Sequence, residues 1–459
     1  MQEQERLARR LPAVLTGWWH EPTEISELHR LSGGASREIW SLLARAPSRE
    51  QRLVLRRDPP AAPRPRAMAL EAAVLSAAAL AGVPVPALVG HGDGSDGVGS
   101  GYLLMEHLTG ETIPRRLLRE PRWATARTGL AAELGRVLAA IHGIALEELP
   151  ELDGGDLLDQ LRVRHDGFDE PRPALEVALR WLAENRPPAR AETLLHGDFR
   201  NGNLMLGTDG LLAVLDWELV HRGDPMADLG WLCVKSWRFG ASTPVGGFGG
   251  REELLDGYAQ VAGWRPSEDE LHWWEVFGTV RWAVICREQA QRHLSGVEPS
   301  VELAVLGRRV CEPEHDALLA LGLTEPLEVP DPLLQPEAPG SGSPHDRPSV
   351  SELLAASADF LTGEVMAADG MDDRVRFHAR VAANALAIAR RELLVGADQH
   401  AEHQERIRAL SCPDDHALVA AIRDGSLDTR WDEVLDTVRA LTVAKLTVAN
   451  PRYLAQPSA

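Results

Sequence analysis

Carboxylate and amide side chains cluster in two short segments near the middle of the sequence. The first reads His196-Gly-Asp-Phe-Arg-Asn-Gly-Asn203, and the second, Leu215-Asp-Trp-Glu218, follows a strand-like apolar run. Asp198 lies in a polar loop between apolar segments, which would hold it in a fixed place. Asn203 and Asp216 offer the hard oxygen ligands that Mg²⁺ prefers, and an unliganded carboxylate can accept a proton from a hydroxyl group. A base and two metal ligands are the parts that phosphoryl transfer needs.

Short strands must position these loops. LLHGDFRNGNLML and LLAVLDWELV each indicate a strand–loop–strand unit. Upstream, EISELHRLSGGASREIWSLLA and RLVLRRD predict a hairpin, and GVPVPALVGHG and GYLLMEHL predict further strands of the same small sheet. An Ala-rich helix is predicted over residues 66–81, and WATARTGLAAELGRVLAAIHG predicts one long amphipathic helix.

Five motifs, taken in order, resemble those of the aminoglycoside phosphotransferase family of small-molecule kinases, which share the protein-kinase fold. H-G-D-x-x-x-x-N followed by D-W-E resembles the catalytic and metal loops, and SGGASREIW over residues 32–40 resembles the phosphate loop. ALEAAVL resembles the helix whose glutamate pairs with a phosphate-anchoring cation, MEHL the adenine-binding hinge, and GDPMADL the segment that closes the catalytic core. The resemblance covers roughly the first 320 residues. It is strongest to the kinase-like regions attached to some acyl-CoA dehydrogenases.

The resemblance implies a role for each motif. Asp198 would be the catalytic base or the group that orients the acceptor hydroxyl, and Asn203 and Asp216 would hold Mg²⁺. The residues that would bind ATP are Gly33, Gly34, Ser36, Arg56, Glu71, Glu106 and Leu108. Among these, the first three would cover the phosphates with backbone N–H groups, and the last two would offer backbone groups to adenine.

One position departs from the pattern of the family, which commonly has a lysine on the third strand. Only Lys235 and Lys445 are lysines, so the phosphate-anchoring cation has to be an arginine. The run LVLRRD offers Arg56 and Arg57, and strand alternation points only one of them inward. Arg56 is the better candidate and would pair with Glu71. A guanidinium is a planar fork, so it is not a neutral replacement for an ammonium group.

Several residues near these motifs are expected to be structural. His196 is more consistent with a hydrogen bond to backbone near the loop than with catalysis, and His142 with a core histidine. Asp224 and Asp228 are expected to hold loop geometry. Trp231 is expected in the core or in a pocket wall.

Composition excludes several classes of protein. The 459 residues include 48 Lys+Arg and 68 Asp+Glu, for a net charge of -20, which argues against a nucleic-acid partner. No run of 18 apolar residues predicts a membrane span, and the polar segment 1–10 has no apolar signal core. The four cysteines form no CxxC pair, which fits a reducing compartment. We therefore expect a cytoplasmic protein with no membrane partner.

A proline-rich stretch divides the sequence. We predict an α+β, bilobal protein-kinase-like fold followed by an all-α bundle. The N-lobe, a small antiparallel sheet with an N-terminal helix, would span residues 1–108, and a mainly helical C-lobe with the catalytic and metal loops would span 109–323. A Pro-rich linker would follow at 324–348, and a helical accessory domain at 349–459.

The apolar pattern of the tail predicts a small helical bundle. Helices are expected to start near Asp373, Pro413 and Trp431, and to stop at Gly396 and Gly425. Three roles stay open: the bundle could dock on the kinase-like part, form a homodimer, or cover the acceptor site.

The sequence therefore predicts an ATP- and Mg²⁺-dependent kinase that moves the γ-phosphoryl group to a hydroxyl of a small molecule. An aminoglycoside, a hydroxyacyl thioester or hydroxy acid, and a small amino alcohol are all compatible acceptors. Arg281 and Arg292, on a late helix, are candidate acceptor-side residues, although a solvated helix face explains them equally well. The alternative is a nucleotide-binding regulatory or scaffold protein without turnover. The departure at Arg56 is the only hint of it, and the intact base and metal ligands argue against it.

Overall fold

Two structural units make up the chain in the computed structural model, which describes residues 2–31, 37–59, 64–335 and 346–456. The segments of the first unit are Met1–Gly155, Ala189–Cys233 and Trp237–Leu271. The segments of the second unit are Asp156–Pro188, Val234–Ser236 and His272–Ala459. Among the described residues, no helix is both long and apolar enough to cross a membrane.

Among the residues that the structure describes, strands occur only in the first unit, and helices occur in both. The strands are β1 (Glu24–Arg30), β2 (Glu38–Ala46), β3 (Arg49–Arg57), β4 (Leu88–Gly92), β5 (Tyr102–Glu106), β6 (Thr193–Leu195), β7 (Leu204–Leu206), β8 (Leu211–Val214) and β9 (His221–Gly223). The helices are α1 (Gln2–Trp19), α2 (Pro65–Leu80), α3 (Pro114–Arg119), α4 (Ala124–Arg127), α5 (Leu130–His142), α6 (Leu157–Asp166), α7 (Pro173–Glu184), α8 (Met226–Cys233), α9 (Arg251–Ala262), α10 (Glu268–Leu294), α11 (Val301–Arg308), α12 (Cys311–Ala320), α13 (Val350–Phe360), α14 (Asp373–Ala409), α15 (Asp415–Asp424) and α16 (Trp431–Ala449).

An antiparallel sheet with the strand order β1-β2-β3-β5-β4 opens the first unit. Leu7, Leu11 and Leu15 recur every four residues along α1, so they share one face of the helix, and all three are buried against the sheet. Arg57 is buried as well: its Nε donates to Glu38 and its Nη1 to the carbonyl of Val98, each at 2.9 Å. The five predicted strands and the helix over 66–81 are confirmed.

Helices α5 and α9 of the first unit cross at two glycines. A Cβ atom on Gly135 would lie 2.2 Å from the carbonyl oxygen of Leu254, and one on Gly257 would lie 2.0 Å from that of Ala132. These backbones are therefore closer than any side chain would allow.

The prediction of one continuous helix before the catalytic loops is wrong. The helical stretch breaks at Gly129, which has a φ of 71°, and α5 begins at Leu130. A left-handed backbone conformation costs little at glycine, so the chain can turn there before the amphipathic helix starts.

An apolar cluster of the second unit joins helices from distant parts of the chain. Ala174 and Val177 of α7 pack with Leu318 of α12, and the same cluster includes Ile407 of α14 and Val434 of α16. The helices of the C-terminal tail therefore pack against helices from the middle of the chain, which corresponds to the first of the three roles left open above.

One of the two helix ends predicted at glycines of the tail is wrong, and the other is confirmed. Helix α14 continues through Gly396 to Ala409, because Gly396 has an ordinary helical backbone, and a Cβ there would make an ordinary contact with Cγ of Glu392 at 3.4 Å. Glycine inside a helix costs only about 1 kcal/mol, so packing of the rest of the helix outweighs it. Gly425, by contrast, adopts a φ of 75° and ends α15.

Substituting Gly257 with alanine tests the close crossing of α5 and α9. We expect Gly257→Ala to lower the free energy of unfolding by about 1–3 kcal/mol, because the new methyl group must push the two backbones apart. Urea unfolding followed by circular dichroism measures it. Gly17→Ala in α1, where a Cβ meets nothing within 4 Å, is the matched control; it should raise stability by about 0.5–1 kcal/mol. Equal unfolding midpoints for both variants would contradict the account.

Candidate active site

The loop after β6 and the loop after β8 meet at one end of a short strand pair. Leu204 of β7 pairs with Val214 of β8, and the N–H of Leu215 donates to the carbonyl of Asn203 at 2.8 Å. Asn203, just before β7, and Asp216, just after β8, therefore lie next to each other at the same end of this strand pair. Asp216 adopts a φ of 66°, a left-handed conformation that is uncommon for a residue with a side chain.

Three side chains orient the carboxylate of Asp198. The Nε atom of Arg200 lies 3.0 and 3.2 Å from the two carboxylate oxygens, and the indole Nε1 of Trp231 donates to Oδ1 at 2.9 Å. The amide Nδ2 of Asn203 donates to Oδ2 at 2.6 Å. Asp198 is thus brought next to one of the two predicted metal ligands.

Asp228 fixes the backbone of the loop that follows β6. Its carboxylate accepts from the N–H groups of His196 (2.8 Å) and Gly197 (2.9 Å) and lies 3.3 Å from Nε2 of His142. Burial acts to raise the pKa of Asp228, but His142 and His196 outweigh it and hold the pKa below its ordinary value. Gly197 has a φ of 79°, and a Cβ there would lie 2.2 Å from the carbonyl oxygen of Leu219.

The ring of His196 connects the two loops. It is fully buried, and burial lowers its pKa below the ordinary value, so the ring is neutral. Nδ1 lies 3.2 Å from the N–H of Asp198 and accepts it, which leaves Nε2–H to donate to the carbonyl of Leu215 at 3.1 Å. A histidine with both ring nitrogens engaged by backbone is a structural element of the loop.

Arg56 joins the sheet, the helix α2 and the loop after β8. Its Nη1 donates to Glu71 at 2.6 Å, and its Nη2 donates to Asp216 at 2.8 Å. Burial acts to lower the pKa of Arg56, and the two carboxylates more than compensate, so the guanidinium stays charged. Arg56 and Arg57 point to opposite faces of β3, as strand alternation requires.

The sequence analysis did not identify a second cation that pairs with Glu71. Arg37 is buried, pairs with Glu71, and has its Nε 3.5 Å from both Asp58 and Glu218. The signal was present, since Arg37 follows the glycine-rich segment directly. Only the fold shows that it shares the carboxylate of Glu71 with Arg56.

Arg200 was also missed as a member of the site, and Trp231 was expected only in the core or in a pocket wall. Arg200 lies inside the H-G-D-x-x-x-x-N motif, and its guanidinium stacks 4.6 Å above the ring of Trp237. Trp231 lies thirty-three residues beyond Asp198, so no local spacing could assign it. Both donate to Asp198.

Other predicted residues are not brought to this cluster by the described contacts. Glu106 ends β5 and Leu108 follows it. Arg281 and Arg292 lie on the part of α10 that belongs to the second unit, where Arg292 donates to Gln289 at 2.8 Å. The predicted phosphate-loop residues Gly33, Gly34 and Ser36 lie outside the described residues.

Comparison with known proteins identifies the family to which the chain belongs. The sheet with a helix glutamate paired to a strand cation, followed by the two polar loops, defines a kinase-like phosphotransferase fold. Residues 27–269 match the model of the phosphotransferase enzyme family, APH. The chain belongs to this family, so the predicted family and fold class are confirmed.

Similar proteins agree with this assignment. The chain is 28% identical over 283 residues to acyl-CoA dehydrogenase family member 10 of Mus musculus and 31% identical over 243 residues to family member 11 of Gallus gallus. These matches cover 56% and 50% of the chain but only 26% and 30% of the relatives. A solved structure of a candidate aminoglycoside phosphotransferase from Ralstonia eutropha JMP134 shares the fold, with a TM-score of 0.54 and 23% identity over 68% of this chain and 98% of that one. Residues 369–453 match a domain of unknown function, DUF6285.

The neutral, buried ring of His196 predicts a pH dependence of stability. In the unfolded chain histidine takes up a proton near pH 6.5, whereas the folded pKa of His196 is lower. The free energy of unfolding should therefore fall as the pH is lowered from 7.5 to about 5.5. His196→Asn, which keeps an acceptor near Nδ1 but cannot titrate, should show a shallower fall in urea titrations.

The control for this prediction is His20→Asn, at an exposed histidine, which should keep the slope of the parent. Other buried histidines, such as His165 and His315, have a pKa lowered to about 4 by burial and add to the slope of every variant. Identical slopes for the parent and His196→Asn would contradict the assignment of a neutral ring.

Proposed function

We propose that the chain is an ATP- and Mg²⁺-dependent kinase that transfers the γ-phosphoryl group to a hydroxyl of a small molecule. The observation that carries the proposal is the juxtaposition of Asp198, Asn203 and Asp216 at one end of the β7–β8 pair. Membership of the phosphotransferase enzyme family supports the reaction class. Neither observation selects the acceptor.

The donor set at the β7–β8 edge fits Mg²⁺. Asn203 uses its Nδ2 toward Asp198, so its amide oxygen is the atom left for a cation. Asp216 adds a carboxylate whose side chain is 38% exposed. Mg²⁺ commonly takes one or two protein ligands and completes its shell with water and substrate phosphates. When bound, it would neutralise charge on the transferred phosphoryl group.

Two arginines are suited to bind the phosphates of a nucleoside triphosphate. Arg56 and Arg37 share the carboxylate of Glu71, and Arg56 also reaches Asp216. A guanidinium held in this way can bind phosphate oxygens without having to be ordered first. We propose that Gly33, Gly34 and Ser36 cover the phosphates and that Glu106 and Leu108 contact adenine.

Asp198 would act on the acceptor. Its carboxylate can accept the proton of a bound hydroxyl as the oxygen attacks phosphorus. Trp231 and Asn203 donate to different carboxylate oxygens and so fix the plane of the group. Arg200 adds a third donor, since its Nε lies 3.0 and 3.2 Å from the two oxygens of the same carboxylate.

The acceptor class stays open among the three considered above. We propose Arg281 and Arg292 as acceptor-side residues, which would suit an acidic or CoA-linked acceptor. We also propose a cytoplasmic location without nucleic-acid or membrane partners, on the acidic balance of the chain. The relatives named after acyl-CoA dehydrogenases make hydroxyacyl compounds the first acceptors to try.

A phosphotransfer screen tests the function. Purified chain is incubated with labelled ATP, Mg²⁺ and a panel of hydroxyacyl thioesters, hydroxy acids, aminoglycosides and amino alcohols. We expect at least one acceptor to be phosphorylated, and Asp198→Asn to lose about 10²-fold or more in rate, because the amide cannot accept the proton. The matched control is Asp209→Asn, at an exposed position of the turn between β7 and β8, which should keep the parent rate.

Two outcomes would count against this account. Transfer at the parent rate by Asp198→Asn would remove the assigned base. Nucleotide binding with no transfer and no ATP hydrolysis for any acceptor would favour the regulatory alternative.

A further inference from the structure

Helix α3 and the turns that follow it form a strongly basic segment in an acidic chain. Residues 114–127 read PRRLLREPRWATAR and contain five arginines against one glutamate. The chain as a whole has a net charge of -20. Because arginine is common in this sequence, the contacts of these side chains, rather than their number, decide what they can do.

Three of the five arginines have partners within the segment or next to it. The Nη1 atom of Arg127 donates to two backbone carbonyls, at 2.6 and 3.2 Å. Arg122 donates to Glu120 at 2.7 Å, and Arg116 lies 3.4 Å from the carboxylate of Glu111. These three arginines therefore hold the segment in its conformation.

The other two arginines, Arg115 and Arg119, remain available to a ligand. Both side chains are exposed, and neither has an acidic partner among the residues that the structure describes. They are four residues apart in α3, so they lie on the same side of the helix, with Cβ atoms about 5–6 Å apart. Leu117, on the opposite side, is buried. The two guanidinium groups therefore face solvent as a pair.

Helix α3 begins beside the loop that carries Asp198. A Cβ atom on Gly202 of that loop would lie 3.8 Å from Cγ of Pro114, the first residue of the helix. Just before the helix, the backbone of Glu111 exchanges two hydrogen bonds with Leu206 of β7, each at 3.0 Å. Helix α3 is therefore held next to the catalytic loop and to the strand that follows it.

A second contact of α3 leads to the same loop. A Cβ atom on Gly247 would lie 2.9 Å from Cδ2 of Leu118. The neighbouring carbonyl of Gly246 accepts from Nδ2 of Asn201, in the loop of Asp198, at 2.8 Å. The segment around these two glycines thus contacts both α3 and the loop whose carboxylate would act on the acceptor.

The cations proposed for ATP have different contacts. Arg56 and Arg37 are bound to Glu71 of α2, whereas the described contacts of α3 lead to the loop of Asp198 and to β7. A guanidinium can bind phosphate oxygens bidentately, and two of them side by side suit an anion with several charges. Because the chain as a whole is acidic, a small anion fits this pair better than a long nucleic acid does.

We propose that Arg115 and Arg119 bind phosphate groups of the acceptor, away from the hydroxyl that receives the γ-phosphoryl group. This inference rests on the proposed function, because it names the acceptor class of the same site. Among the acceptors considered above, a hydroxyacyl thioester of a phosphate-bearing carrier such as coenzyme A has these groups. Its hydroxyl would lie at Asp198 and its phosphates along α3, which is about 9 Å long. Free hydroxy acids, aminoglycosides and amino alcohols lack such phosphates.

Calorimetric titration with coenzyme A tests the site without relying on turnover. With Mg²⁺ and a saturating non-hydrolysable ATP analogue, the parent should bind one coenzyme A per chain, and pantetheine, which has no phosphate, about tenfold or more weakly. Arg115→Gln combined with Arg119→Gln should weaken coenzyme A binding about tenfold or more, because two charged donors are lost. The same variant should bind the ATP analogue like the parent.

A second pair of exposed arginines provides the matched control. Arg9→Gln combined with Arg45→Gln removes two exposed arginines of the same unit and changes the net charge equally, so it should bind coenzyme A like the parent. Circular dichroism checks that each variant is folded. Failure of the parent to bind coenzyme A overturns the proposal, as does equal binding by the parent and the variant of α3. An equal loss of affinity for the ATP analogue also overturns it, because the two arginines would then serve the nucleotide.

Steady-state kinetics test the acceptor role. For the coenzyme A thioester of an accepted hydroxy acid, the α3 variant should raise KM about tenfold and leave kcat unchanged. For the matching pantetheine thioester, both constants should equal those of the parent. An equal rise of KM for the two thioesters contradicts binding of the acceptor phosphates. Arginine-dependent binding of coenzyme A without phosphorylation of any acceptor would support the phosphate site and contradict the proposed transferase reaction, so the two failures can be told apart.

Discussion

The guanidinium of Arg56 is the connection on which the arrangement of the site depends. It binds Glu71 of α2 with one nitrogen and Asp216 with another, and so joins the sheet to the loop after β8. A lysine has one nitrogen and no fixed plane, whereas the fork of an arginine can bridge two carboxylates that are separately anchored. Arg37 shares Glu71, so that carboxylate stands between two cations. The scarcity of lysine therefore coincides with a site whose geometry uses the extra donor.

Much of the fold and of the site could be predicted because the signals are local. Alternating apolar residues indicated the strands of the sheet, and the spacing from Asp198 to Asn203 indicated the catalytic loop. Strand alternation allowed only one of Arg56 and Arg57 to point inward, and the position directly after the apolar run favoured Arg56. What could not be predicted depends on residues that are distant in sequence: Trp231 reaches Asp198 only through the fold. The break at Gly129 and the continuation through Gly396 show the limit of glycine as a signal, because tertiary packing decides whether a glycine ends a helix.

The second unit shows how a tail can become part of the protein it follows. Helix α12 carries buried acidic residues, and their partners come from distant segments. Glu314 pairs with Arg172 and Lys445, and Asp316 accepts from Tyr453 at 2.6 Å and pairs with Lys235 at 3.0 Å. Both lysines of the sequence thus form ion pairs with acidic residues of this one helix. Buried carboxylates that lose such partners are costly, so the helices of residues 369–453, the domain of unknown function, contribute to the stability of this unit.

The central claim is that a guanidinium-anchored site binds a magnesium nucleotide, and calorimetric titration with a non-hydrolysable ATP analogue tests it most directly. The account predicts one binding event per chain, weakened when EDTA removes Mg²⁺. It also predicts that Arg56→Lys weakens binding about tenfold or more, since one charged hydrogen bond is lost. Arg52→Lys, on the exposed part of the same strand, should bind like the parent. Absence of binding to the parent, binding to the parent that EDTA leaves unchanged, or equal affinity of the parent and Arg56→Lys would contradict the account.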